Sequence, residues 1–404
     1  MDNLTHTLTA VAMSQAGLRR FTPHATITLI VASNLSDLDI VTVLQGSTAY
    51  LEHHRGITHS LVGVTALAGM LAALMIAGSG LLARMRGRPP GKLSFLPLFG
   101  VCWAGTASHL LLDFTNSYGV RPFLPFSGKW YAWDILFIID PLVILALVAA
   151  LILPALLRMV AEEVGARKPK YSWGPAVGLA FMALLWGVRD TSHRQALDML
   201  GAYNYAREAP LSIGAFPSTA NPFLWNGVVE TPSAFHVLSV NTLTSSIDPE
   251  RTRVFYKADR HPALDAAQST YAAKVFSDFA RFPWITRRDR PRGYRVELRD
   301  LRFLSATRRR QAFVVGVELD LEFSVLEEVF SFSGPSERRQ PRSRPGNSNP
   351  LLRGEEGRTI SSNHPVTQHH DPHDHQRHPS KVIPKIRLSL FPVTRTQIGN
   401  GPES

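Results

Sequence analysis

The chain has 404 residues, 45% of them apolar and 19% charged, with a formal net charge of +11 and one cysteine. That apolar share supports a substantial core and excludes a wholly disordered chain. The lone Cys102, set in an apolar run, excludes an internal disulfide framework and a cysteine-built zinc or iron–sulfur site.

The apolar segments are concentrated before about residue 190 and the charges after it. Residues 3–18 and 24–35 predict two short helices, joined at Arg19-Arg20 and Pro23, in a hairpin whose limbs are each too short to span a bilayer comfortably. MDNLTH has an acid at Asp2 and no basic leader, so it does not read as a cleaved signal peptide. Residues 61–83 carry no charge and are long enough to cross a hydrocarbon core of about 30 Å, which makes them the strongest membrane span. Residues 135–157 predict a second, with Asp140-Pro141 near one end and Pro154 near the other. Residues 95–112 and 173–188 read either as thin spans or as buried bundle helices. The competing reading of the whole is a very apolar soluble bundle.

From about residue 215 the sequence turns aromatic, polar and proline-punctuated. In 313–323, Phe313, Val315, Val317, Leu319, Leu321 and Phe323 alternate with polar positions, the period of a half-buried antiparallel strand. YRVELRD at 294–300 repeats the pattern, and Leu264, Tyr271, Val275, Phe279 and Phe282 fit one helical stripe. Residues 335–404 are rich in Pro, Ser, Arg and His and read as disordered. With eleven Lys or Arg against six Asp or Glu, this tail supplies +5 of the net charge, so the overall basicity argues little for nucleic acid as a partner. Its histidines, His364, His369, His370, His373, His375 and His378, read either as low-complexity drift or as a loose metal-binding tract. The expected fold is mainly α. A polytopic membrane helical bundle with the metal site (1–190) precedes a small α+β extracytoplasmic domain (191–334) and a disordered tail (335–404).

The chemistry-bearing residues are His6, Asp37 with Asp39 close by, His54, His59, His109 and Asp113. His109 and Asp113 in SHLLLD are spaced i to i+4 and so project from one helical face, a geometry that presents two ligands to one metal and equally serves a simple hydrogen-bonded pair. In HHRGITHS, Gly56 lies between His54 and His59 and permits a sharp turn that brings both imidazoles inward. In SNLSDLDI, Asp37 and Asp39 end an apolar helix, where the helix dipole disfavours a carboxylate unless a cation such as a metal ion compensates.

Topology unites these residues. If 61–83 and 95–112 are antiparallel, His59 and the His109–Asp113 pair meet at one membrane face, and the Arg19-Arg20 turn returns Asp37 to the level of His6. The basic turns (Arg19-Arg20; Arg84, Arg86, Arg88 and Lys92; Arg158, Arg167, Lys168 and Lys170) mark the cytoplasmic side by the positive-inside rule, which puts all six ligands on the extracytoplasmic face. A shared metal site competes with separate interfacial histidines and helix-end carboxylates.

MDNLTH, NLSDLD, HRGITHS and SHLLLDFTNSYGVRPFLPFS resemble the YdjM-like family of inner-membrane proteins described as metal-dependent hydrolases, over about residues 1–145. NPFLW, RFPW and YRVELRDLRF resemble its extramembrane portion. The family is similar at a distance to zinc-dependent phospholipase C and P1-type nucleases. The resemblance implies His6, Asp37, His54, His59, His109 and Asp113 as metal ligands. Ser36 stands where the family usually has proline before the first aspartate, which leaves the choice between Asp37 and Asp39 open.

Mixed His and carboxylate ligation without thiolate suits zinc, with manganese or iron tolerated. A bound zinc ion lowers the pKa of its water to about 7, and a second ion can hold the substrate oxygen and leaving group. Arg55 is placed either to pair with a phosphate oxygen as charge builds or to bind lipid headgroups. Asp134 and Asp140 are either partners behind the ligand imidazoles or caps of the next span. Trp130, Tyr131 and Trp133 fit an interfacial aromatic belt. Asn116, Tyr118 and Arg121 follow Asp113 and are placed to shape the pocket, with no individual role assigned. The function expected is a membrane-bound metal-dependent hydrolase acting on a phosphoester or lipid headgroup, the alternative being a non-catalytic membrane protein with a structural His/Asp metal site. Membrane lipid is the expected partner. Transport is disfavoured because the ionisable residues cluster at span ends rather than mid-span.

Overall fold

The computed structural model describes residues 1–87, 89, 93–164, 173–304 and 313–332. These lie within one compact unit, Met1–Ser336. The sequence readings at Arg88, Lys92, Arg167, Lys168, Lys170 and 335–404, including the histidine tract, fall outside the described residues.

The first half is helical, and capping residues set where its helices begin. Asp2 caps α1 (Asn3–Ala16) by accepting from the Thr5 amide at 3.0 Å. After a 3-10 turn at Leu18–Arg20, α2 (Ala25–Ala32) runs into a 3-10 stretch, Ser36–Gln45. The hairpin's second limb is therefore longer than expected: 25–45 is one apolar run of membrane-crossing length. A short helix α3 (Ser47–His53) and a 3-10 turn (Ile57–His59) lead to α4 (Leu61–Met85), capped by Ser60 through the Gly63 amide. Next come α5 (Phe95–Phe114), α6 (Pro141–Glu163) and α7 (Gly174–Ala202).

Ala25–Gln45, α4, α5 and α6 are each long and apolar enough to cross a membrane. The span expected at 135–157 begins only at Pro141, because Asp140 caps it through the amides of Leu142 and Val143. Pro154 lies inside α6 rather than ending it. The apolar part of α7 opens a helix that continues through Arg189 to the first sheet and is not among the four stretches.

Helix α5 packs against α4 and α2. Gly105 makes the second contact possible: a Cβ there would stand 2.6 Å from that of Ala32. This close approach brings the face of α5 that carries His109 onto the end of α2.

Two antiparallel four-stranded sheets follow. The first runs β1 (Ser212–Pro217), β2 (Leu224–Glu230), β3 (Ala234–Asn241) and β4 (Ser246–Tyr256), paired in sequence order. The second pairs β5 (Pro283–Arg290), β6 (Gly293–Asp300), β7 (Val314–Leu319) and β8 (Val325–Ser331), also in order. Two helices, α8 (Pro262–Ser269) and α9 (Tyr271–Phe279), pack on the second sheet. The single helical stripe expected over 264–282 is thus divided at Thr270, which caps α9, and Tyr271 is exposed. The strand expected over 313–323 stops at Leu319. Asp320 Oδ1 accepts from the amides of Glu322 and Ser324, bending the chain and leaving Leu321 exposed. Val296, Leu298, Val315 and Val317 are buried as their alternation predicted. Leu51 of α3 and Tyr118 from the loop after α5 belong to the same buried cluster as Phe276, Phe279 and Phe313, so helices and second sheet share a core.

Candidate metal centre

The helix ends converge. His6 near the start of α1, Asp37 after α2, His59 just before α4, and His109 with Asp113 in the last turns of α5 meet at one end of the bundle. Arg19, Arg20, Arg84, Arg86 and Arg158 lie toward the other ends of α1, α4 and α6.

Asp37, His59, His109 and Asp113 each offer one ligand atom, all within 4.8 Å of one another. His59 Nε2 and His109 Nε2 are 3.0 Å apart. Asp37 Oδ1 lies 3.5 Å from both nitrogens, and Asp113 Oδ2 lies 3.3 Å from His59 Nε2 and 3.6 Å from His109 Nε2. His59, His109 and Asp113 are fully buried, whereas the Asp37 side chain keeps 21% exposure.

The imidazole tautomers are set from behind. His109 Nδ1 is 2.7 Å from the Ser33 carbonyl, an acceptor only, so Nδ1 carries the proton and Nε2 presents its lone pair inward. His59 Nδ1 faces Thr58 Oγ1 at 3.0 Å and Asp39 Oδ2 at 3.3 Å, and Thr58 Oγ1 itself donates to Asp39. In neutral rings, two nitrogen lone pairs and two carboxylates thus face a common point. The Met1 ammonium and Arg55 meet Asp113 at Oδ1, and the donor atoms that remain, Asp113 Oδ2, Asp37 Oδ1 and the two Nε2 atoms, fit a divalent metal.

Asp37, Asp39 and His54 form a second group with the same spacing limit, sharing Asp37 with the first. Asp39 holds His54 Nδ1 at 2.8 Å and the Arg55 amide at 3.0 Å. Burial lowers the His54 imidazole pKa below its ordinary value, against the pull of Asp39, and so favours the neutral form. His6 is stacked on His109 with ring centroids 3.9 Å apart, its Nε2 is 3.5 Å from Asp113 Oδ1, and both its nitrogens are buried without a hydrogen-bond partner.

Several expectations change. Asp37 and Asp39 stand in the first turn of Ser36–Gln45, where the helix dipole favours carboxylates, so the dipole argument for a compensating cation falls and the cluster geometry takes its place. The sharp turn falls on Arg55, at φ 57°, and not on Gly56, whose missing Cβ instead admits the His53 carbonyl, 2.6 Å from where it would stand. Arg55 is buried and committed: Nη2 donates to Asp113 Oδ1 at 3.0 Å, Nη1 donates to Asn116 Oδ1 at 3.0 Å and Gly119 O at 3.2 Å, and the guanidinium lies over the Tyr118 ring. It orients Asp113 rather than standing open to an incoming anion. Asp134 pairs with Arg281 at 2.7 Å, and Asp140 caps α6 and pairs with Arg189 at 2.8 Å. Among the described contacts neither carboxylate backs a ligand imidazole.

Trp130 and Trp133 are anchored by protein, their Nε1 atoms donating to Asp278 and Asp190, rather than lying in a free belt. The Ser33 carbonyl and Thr58 have no place among the residues expected from the sequence, and Asn116, expected only to shape the pocket, holds Arg55. No side-chain pattern announces a backbone acceptor, whereas Thr58 and Asn116 adjoin ligand motifs and carried a usable signal.

Residues 1–196 match the family described as YdjM inner membrane protein, in agreement with the four membrane-length helices. The chain is 26% identical over 161 residues to the uncharacterized protein YfhP of Bacillus subtilis (strain 168), a match covering 37% of this chain and 45% of that relative's length. No solved structure matches.

Proposed function

We propose, taking residues 1–196 as those of a YdjM-family inner membrane protein, that the chain is an integral membrane hydrolase using a His/Asp metal centre on a phosphoester or lipid-headgroup substrate. The observation that carries this reading is the inward convergence of His59 Nε2 and His109 Nε2 with both Nδ1 atoms engaged elsewhere. Zinc suits the thiolate-free donor set, with manganese or iron tolerated. A divalent cation held there supplies Lewis acidity and acidifies a water near neutral pH.

The residues divide that work. The Ser33 carbonyl and the Thr58–Asp39 pair fix the two imidazoles, and Arg55 fixes one oxygen of Asp113, leaving the other toward the centre. Asp37 and His54, at 21% and 13% side-chain exposure, form the open edge by which a substrate phosphate reaches the ligands. The arginine-bearing helix ends opposite the site support an extracytoplasmic placement. The wider likeness to zinc phospholipase C and P1 nuclease rests on ligand types alone.

One observation favours the alternative of a purely structural metal: His6, His59, His109 and Asp113 are shut away completely. Metal content of the detergent-purified full chain, beside the His59→Ala/His109→Ala variant, separates the readings when joined to turnover assays on phospholipid micelles and soluble phosphodiesters. Near-stoichiometric metal lost in the variant, with metal-dependent ester cleavage, is the expected result. Metal without turnover supports the structural site, and no metal even after add-back sinks both.

A further inference from the structure

We infer that the second sheet sets the geometry of the metal centre through Arg302, which acts as a positioning residue for Asp113 by way of Ser117, Asn116 and Arg55. The inference rests on the metal-site reading above. Its origin, Arg302, lies far from the ligands in sequence, and its links are hydrogen bonds joined by one backbone step from Ser117 to Asn116.

Arg302 lies in the 3-10 turn Leu301–Phe303 after β6. Its side chain is held rigidly: Nε donates to Asp300 Oδ2 at 2.7 Å, Nη2 donates to the Phe279 carbonyl at 2.8 Å, and the guanidinium lies over the rings of Phe279 and Phe303. The remaining arm leaves the sheet. Nη1 donates to the Ser117 carbonyl at 2.9 Å, in the loop that follows α5.

That carbonyl belongs to the peptide between Ser117 and Tyr118, so Arg302 pins the backbone on which Asn116 is carried. Asn116 is fully buried, and its Oδ1 accepts from the Tyr118 amide at 2.9 Å and from Arg55 Nη1 at 3.0 Å. Arg55 closes the chain by donating from Nη2 to Asp113 Oδ1. Tyr118 reinforces it, with its ring between the Arg55 guanidinium and Phe279 of the sheet core.

A guanidinium with its donors spent on fixed acceptors offers little latitude, and partners behind a metal ligand typically carry about 10- to 100-fold in metal affinity. The positive φ of Arg55 fits the same view, because a non-glycine residue keeps that conformation when its surroundings over-determine it. The sheet region is thus part of the metal centre's scaffold.

The test uses the full chain in detergent. Zinc affinity is measured by chelator competition, and backbone hydrogen exchange over 115–120 is measured on metal-free protein. Arg302→Met and Asn116→Ala are each expected to weaken zinc binding about tenfold or more. Their combination should cost little beyond the larger single effect, since they interrupt one chain. Asn116→Asp keeps the acceptor that Arg55 and Tyr118 use and restores affinity. Val317→Ala hollows the same sheet core without touching the relay; it lowers thermal stability and leaves zinc affinity unchanged. Arg302→Met also speeds exchange at the Tyr118 amide in the absence of metal.

Unchanged affinity in Arg302→Met, full additivity with Asn116→Ala, or equal loss in Val317→Ala overturns the relay while leaving the metal site standing. A wild-type chain that binds no zinc overturns the metal-site reading, and the exchange result then still reports on whether Arg302 orders the loop.

Discussion

His59 and His109 bring their Nε2 atoms to 3.0 Å from each other, while a hydroxyl–carboxylate pair behind one ring and a backbone carbonyl behind the other hold the Nδ1 protons. Two neutral imidazoles so arranged cannot satisfy each other. Arg55 and the Met1 ammonium meet Oδ1 of Asp113, whereas among the described ion pairs Asp37 faces only the two imidazoles, so in the metal-free centre it is the Asp37 charge that a cation relieves, and this sets the first prediction.

Asp37→Asn removes one of the converging charges. The metal-free variant is expected to melt above the metal-free parent, while its stabilisation by added zinc shrinks or disappears. Paired thermal melts with and without zinc check both halves, and a variant less stable than the parent without metal contradicts the cost assigned to the Asp37 charge.

Gly105 lets α5 approach α2 closely enough for His109 to reach the Ser33 carbonyl. Gly105→Val forces the helices apart, at about 1–3 kcal/mol for the overpacking. It is expected to weaken zinc binding as well, because His109 loses the partner that fixes its tautomer. Gly78→Ala, with open space where its Cβ would go, serves as the control and leaves zinc affinity unchanged.

Arg189 and Asp140 form an ion pair with both side chains fully buried. Removing one partner strands the other charge, so Arg189→Met is expected to cost about 3–5 kcal/mol, whereas Arg189→Met with Asp140→Asn recovers much of it. Denaturation of the two variants measures the difference. Equal losses would mean that the pair is not coupled.

His54 sets a pH dependence. Its folded-state pKa lies below the ordinary 6.5 because of burial, so its neutral form contributes stability that is present above about 6.5 and is lost as pH falls. The metal-free chain is expected to lose thermal stability on acidification through pH 6.5 toward the lower folded-state value. His54→Gln should flatten part of that slope. A variant with the parent's slope would assign the effect elsewhere.

Much of the architecture was legible in the chain itself because membrane helices and alternating strands are written in local hydrophobicity. Residues 61–83 and 95–112 became α4 and α5 almost unchanged, and Val296, Leu298, Val315 and Val317 faced inward as their period of two required. The antiparallel argument that brought His59 to His109 and Asp113 needed only the order of the spans, and the cluster bears it out. Boundaries were less legible. A capping carboxylate such as Asp140, or a side-chain turn such as that at Asp320, can end an apolar pattern where hydrophobicity alone would continue it.

What the sequence by itself determined, then, was which residue types lie at which helix ends, since covalent order and bilayer length leave few alternatives. What only the tertiary structure decided was their partners. Arg55 on Asp113, Asp39 behind His54, Ser33 behind His109, and Arg302 reaching Ser117 from 185 positions away depend on side-chain direction and backbone approach at the scale of a single hydrogen bond. Periodicity averages over that scale, and only packing resolves it.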